Sequence, residues 1–94
     1  ANIGGRMGSV IGDKLRKLAS HHQVLCITHL PQIAAYANHH LRIAKRVTRG
    51  QTRTEVQTLV DADRIDEIAD MLAGKKRSAT TRKQAKEMLA AARG

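Results

Sequence analysis

Of the five histidines in this 94-residue chain, four come as adjacent pairs, His21-His22 and His39-His40, and His29 stands alone. Neighbours in an extended chain point to opposite faces, and no set of cysteines or carboxylates at ligand spacing completes either pair. A zinc site is therefore not expected, and no metal ligand is assigned. His29 follows four consecutive apolar residues, Val24, Leu25, Cys26 and Ile27, and precedes Leu30-Pro31. An imidazole can act in either protonation state near neutral pH, donating or accepting a hydrogen bond. His29 is the candidate site residue. Cys26, flanked by Leu25 and Ile27, is expected to be an inert core thiol and not a nucleophile.

The elements that must position His29 follow from the patterning. A strand with one wet face would alternate, so the unbroken apolar run predicts a parallel-sheet strand covered on both faces by helices. Pro31 is a favourable first residue of a helix, here expected over residues 31–37. A polar corner between the carboxyl end of a buried strand and a helix start lies where open α/β sheets hold ligands. Upstream, Met7, Val10, Ile11, Leu15 and Leu18 recur at helical spacing. Gly8 and Gly12, one turn apart, would let that helix pack closely on the sheet, and Gly4-Gly5 reads as a loop before it.

Downstream, residues 40–47 and 52–59 alternate around a turn at Thr48-Arg49-Gly50-Gln51, predicting a hairpin with one solvated, basic face. Asp61 or Asp63 is expected to cap a helix carrying Ile65, Ile68, Ala69 and Leu72, with Gly74 as its stop. After a basic linker, Thr81 and Gln84 suggest a capping box for a last helix through Ala92, with Ala85, Met88, Leu89 and Ala92 as its apolar stripe. One buried strand cannot make a sheet by itself. The remaining strands are expected from chain preceding Ala1 or from another molecule, so the segment reads as an incomplete α/β domain.

Composition narrows the partners. Seventeen Lys and Arg against eight Asp and Glu give a net charge of +9, which favours polyanions such as nucleic acid or phosphate-bearing ligands. With one tyrosine and neither Phe nor Trp, single-strand binding by base stacking is not expected. The single cysteine excludes a disulfide framework and points to a reducing cytoplasm. No signal peptide and no apolar run of membrane-spanning length is seen.

Ile3-Gly4-Gly5-Arg6, the helix after it and Val24-Leu25-Cys26-Ile27-Thr28-His29-Leu30-Pro31-Gln32-Ile33-Ala34-Ala35 together resemble the carboxyl-terminal end of the RecN family of DNA-repair ATPases. The likeness extends through Thr52-Arg53-Thr54 and Ile65-Asp66-Glu67-Ile68-Ala69-Asp70-Met71-Leu72-Ala73-Gly74, and is one of character only in the final helix. The resemblance implies the carboxyl-terminal portion of a P-loop, ABC-type nucleotide-binding head related to the structural-maintenance-of-chromosomes ATPases. The chain would be a single unit, 1–94. Residues 28–31 would be its switch-histidine loop, with His29 the catalytic residue, contacting the γ-phosphate of ATP and helping to position the attacking water, and Thr28 orienting its ring or its loop. Residues 1–5 would be its D-loop, with Ala1, Asn2, Ile3 and Gly4 crossing to a second head of a homodimer.

The resemblance further implies ATP and Mg2+ in the intact protein, an amino-terminal part of the head as partner, DNA as substrate in double-strand-break repair, and a nucleoid-associated place in the cytoplasm. The Walker A, signature and Walker B motifs are not in this sequence, and no G-x-x-x-x-G-K-[ST] occurs, so the segment alone is expected to be inactive. Two readings without nucleotide chemistry stand beside it: a basic DNA-binding module and a head-assembly element. The basic residues divide into Arg42, Lys45, Arg46, Arg49 and Arg53 on the hairpin, and Lys75, Lys76, Arg77, Arg82, Lys83 and Lys86 near the last helix. Either group is a solvated face or a surface for DNA phosphates, with Arg42, Arg46 and Arg49 the named candidates.

Overall fold

Ile68 and Ala69 on one helix and Ala85, Leu89 and Ala92 on another form the centre of the core in the computed structural model, which describes residues 3–74 and 76–93. Ala1, Asn2, Lys75 and Gly94 lie outside the described residues. The chain runs α1 (Ile3–Leu18), α2 (Pro31–Ala34), β1 (His40–Thr48), β2 (Gln51–Leu59), α3 (Asp61–Ala73) and α4 (Ala79–Ala92). The small side chains at the α3–α4 seam let the helix backbones approach closely. Ala34 and Ala35 at the end of α2 join the same cluster.

Local chemistry sets the α3–α4 corner. Gly74 adopts a left-handed conformation, φ 61° and ψ 44°, and its N–H donates to the Asp70 carbonyl at 2.7 Å. That conformation is natural to glycine and ends the helix as expected. Arg77 then reaches Asp66 at 3.0 Å and Asp70 at 3.1 Å, closing the linker onto α3. The last helix begins one turn earlier than the Thr81-Gln84 pattern predicts. Ser78 is its N-cap and Thr81 the third helical residue, each side chain serving the other's backbone N–H. A hydroxyl at both positions makes the reciprocal bonds that Gln84, a turn further on, is too late to make. At α3 the cap expectation fails as well. Val60 occupies the N-cap without a side-chain bond, and Asp61 and Asp63 lie in the first turn, where negative charge still favours the helix dipole.

Gly8 and Gly12 do permit a close approach, but to α2 and not to a sheet. A Cβ on Gly12 would lie 2.6 Å from Tyr36 Cδ2, and one on Gly8 would lie 3.0 Å from Gln32 Cβ. The loop expected at Gly4-Gly5 is instead the opening turn of α1.

The buried parallel strand is not present. Residues 23–28 belong to no helix or strand, Leu25 and Ile27 are 83% and 87% exposed, and Cys26 is exposed. A strand exists through the hydrogen bonds of a neighbour. Among the described residues the sheet consists of β1 and β2 paired antiparallel with each other. The described architecture is therefore helices plus an antiparallel hairpin.

The hairpin turns on Arg49 and Gly50, both left-handed with φ 53° and 75°, the backbone pattern of a type I′ connection. Its register runs from Thr48 opposite Gln51 to His40 opposite Leu59. Alternation places Leu41, Ile43, Val47 and Val56 on one face and Arg42, Arg46, Arg53 and Glu55 on the other. Only Leu59 is buried, and Ile43 and Val47 remain 62% and 70% exposed. The apolar face is thus solvated as well, because among the described residues no helix covers it.

Gly12→Ala should lower stability even though alanine gains about 1 kcal/mol of helix propensity over glycine. The new methyl meets the Tyr36 ring, so the urea midpoint of the chain should fall. An unchanged or raised midpoint would show that Tyr36 moves aside at no cost.

Candidate functional site

The corner that carries His29 is built by its neighbours. The Thr28 hydroxyl accepts a hydrogen bond from the Leu30 N–H at 3.0 Å, which folds the backbone around His29. Thr28 therefore acts on the loop. Leu30 is extended at φ −96° and ψ 116°, as a residue before proline must be. Pro31 opens α2 and is buried, as is Ala34. His29 is exposed at the apex.

α2 is one turn long, too short to persist by its own hydrogen bonds. Arg64 of α3 holds its carboxyl end: Nη2 donates to the carbonyls of Ala34 at 3.2 Å, Ala35 at 3.4 Å and Ala37 at 2.6 Å. A guanidinium on terminal carbonyls satisfies orphan acceptors and complements the helix dipole. Sequence reasoning missed this residue, since the contact spans about thirty positions and has no local pattern. Burial, then the guanidiniums of Arg93 and Arg16, push Arg64 down from the ordinary arginine range. It stays charged at any physiological pH.

The other candidates are distributed. Ala1 and Asn2 are outside the described residues, and Ile3 and Gly4 open α1 as helix and not as loop. Arg42 bonds Gln57 at 2.8 Å and pairs with Glu67 of α3 at 3.5 Å. Arg46 pairs with Glu55 across the hairpin at 3.7 Å. Arg49 lies exposed in the turn. The hairpin groups these arginines with one another, and His29 occupies a separate corner. Among the described residues no three His, Cys, Asp or Glu side chains come together as a metal cluster. No helix there is long and apolar enough to cross a membrane.

Known proteins that resemble the chain are DNA-repair proteins. The family is RecN, and the chain belongs to it as a segment. It is 44% identical over 87 residues to the RecN proteins of Halalkalibacterium halodurans and Bacillus subtilis, covering 93% of this chain. With the Vibrio cholerae RecN it shares 43% over 90 residues, 96% of this chain. The chain spans about 15% of the length of these curated relatives, a share consistent with a carboxyl-terminal portion. No protein-family model matches it.

His40 offers a test of the hinge between α2 and the hairpin. It is half-buried and its Nδ1 has no hydrogen-bond partner. Burial and, after it, the Arg64 charge hold its pKa below the ordinary 6.5, with Glu67 opposing. Protonation therefore favours the unfolded chain. The stability that His40 contributes is full above pH 6.5 and lost as pH falls from there through the lower folded-state pKa. Urea midpoints measured across that window should fall with acid, and His40→Gln should flatten the decline. An equal decline in the variant would clear His40 of the effect.

Proposed function

We propose that the chain is the carboxyl-terminal portion of an ABC-type ATP-binding head in a RecN-type DNA-repair protein, with His29 its switch histidine. The observation that carries this reading is the corner itself. A solvent-facing imidazole sits between an exposed apolar segment and a proline-started helix, on a loop tied by Thr28 to Leu30. Phosphoryl transfer is largely positioning and stabilisation of charge on the γ-phosphoryl oxygens. His29 would donate a hydrogen bond there and orient the attacking water. ATP would lie between two heads, with residues 1–4 near the interface and hydrolysis governing head association on DNA during double-strand-break repair.

The uncovered Leu25 and Ile27 support the same reading. An apolar segment with unpaired backbone is what a strand looks like when its sheet is supplied by other parts of the polypeptide. The phosphate-binding loop and catalytic acids would come from there as well. ATP is accompanied by Mg2+ in such heads, and no residue described here is assigned to hold it. The segment alone should not turn over ATP.

The test is ATP turnover by the full-length polypeptide with and without His29→Ala. The rate should drop by roughly 10²-fold, the scale of losing one preorganised donor to a developing oxyanion, while nucleotide affinity is largely kept. Unchanged turnover would remove His29 from the mechanism.

A further inference from the structure

A second charged surface lies on the α3–α4 side of the molecule. A cleft of about 440 Å³ opens there, with Arg64 from α3, Arg82 and Lys86 from α4, and Arg93 just beyond it in the wall. Asp61 is the one carboxylate among the described residues that line it. We propose that this cleft contacts the phosphodiester backbone of nucleic acid.

Each cation in the wall has a different degree of freedom. Arg82 is already committed to Asp66 at 2.7 Å, so its charge is largely answered. Arg64 spends one nitrogen on α2, but its Nε–H is buried and donates to nothing in the described residues. Lys86 and Arg93 are exposed and make no ion pair among the described residues. Arg16 of α1 adds a further guanidinium beside the cleft, donating to the Ala92 carbonyl at the end of α4. Cations outnumber carboxylates here among the described residues, as the lowered pKa of Arg64 also reflects. Such an arrangement is stabilised by an anion with several acceptor oxygens.

The hairpin is the poorer surface for the same ligand. Arg42 and Arg46 already face Glu67 and Glu55. The ring-poor composition leaves no platform for bases around the cleft either. Recognition there would be of backbone charge, independent of sequence, and steeply salt-dependent. The choice of nucleic acid over a free anion rests on the proposed place of the chain in a DNA-acting ATPase.

The experiment measures duplex-DNA affinity of the full-length polypeptide against salt for the parent, for Lys86→Gln with Arg93→Gln, and for Lys83→Gln. Lys83 is an exposed lysine on α4 that does not line the cleft. The double variant should lower the log–log salt slope by about 2, one for each phosphate no longer neutralised, and Lys83→Gln should leave it nearly unchanged. Unfolding midpoints should be the same in all three, since the altered side chains are solvated.

A slope unchanged in the double variant would overturn the proposal. So would an equal drop with Lys83→Gln, which would mean diffuse charge and no site. Stabilisation by inorganic phosphate that disappears in the double variant, with the DNA slope kept, would assign the cleft to a free anion and overturn the nucleic-acid assignment. Absence of DNA binding by the parent would overturn this proposal while leaving the His29 turnover test standing.

Discussion

Arg64 Nη2 reaches the carbonyl oxygens of Ala34, Ala35 and Ala37, and the placement of His29 depends on that contact. The helix after His29 is a single turn and has almost no hydrogen-bonded length of its own. It is held at one end by Pro31 and at the other by a guanidinium projecting from α3. Charge-assisted hydrogen bonds of this kind contribute roughly 1.5–3 kcal/mol, enough to decide the conformation of one turn. α1 closes the arrangement from outside, where Gly12 admits the Tyr36 ring. The corner that carries His29 is therefore positioned from the helical core.

The core itself is modest. Ile68 is the one large side chain with no exposed surface among the described residues, and much of the rest is alanine. Against this stand several large apolar groups in solvent: Leu25 and Ile27 before the corner, Leu41, Ile43, Val47 and Val56 on one face of the hairpin, and Met7, Val10 and Ile11 along α1. Isolated exposed apolar residues are ordinary, whereas aligned sets of them mark surfaces that meet something else. The proposed ABC-type head, in which this chain would complete a sheet, would give the first set a physical use. The hairpin face and the outer side of α1 carry no comparable indication of what covers them.

The electrostatics divide along the same line. Although the chain carries +9, many cations are answered locally: Arg42 by Glu67, Arg46 by Glu55, Arg77 by Asp66 and Asp70, and Arg82 by Asp66. The Arg42 pair ties the hairpin to α3, the Arg77 and Arg82 pairs tie the linker and α4 to α3, and the Arg46 pair bridges β1 and β2. Among the described residues excess charge collects around Arg64, Lys86 and Arg93, where Asp61 is the one carboxylate in the lining. Net charge alone could not have distinguished a fastening arginine from an available one.

Much was legible in the order of residues. The periods of α1, α3 and α4, the Arg49-Gly50 turn, Gly74 as a helix stop, Pro31 as a helix start and His29 as the apex of a corner are all local, set by side chains within a few positions of each other. The RecN relationship was likewise readable from contiguous motifs. What needed the tertiary structure was every statement about partners: that Gly8 and Gly12 meet α2, that Arg64 ends that helix, that Ser78 displaces Thr81 as the cap, and that Arg42 and Arg46 are already paired. The apolar run at Val24 to Ile27 shows the reason most clearly. Its residue types favour burial on both faces, but a strand is completed by hydrogen bonds from a neighbouring chain segment, and only three-dimensional placement determines whether that neighbour is there.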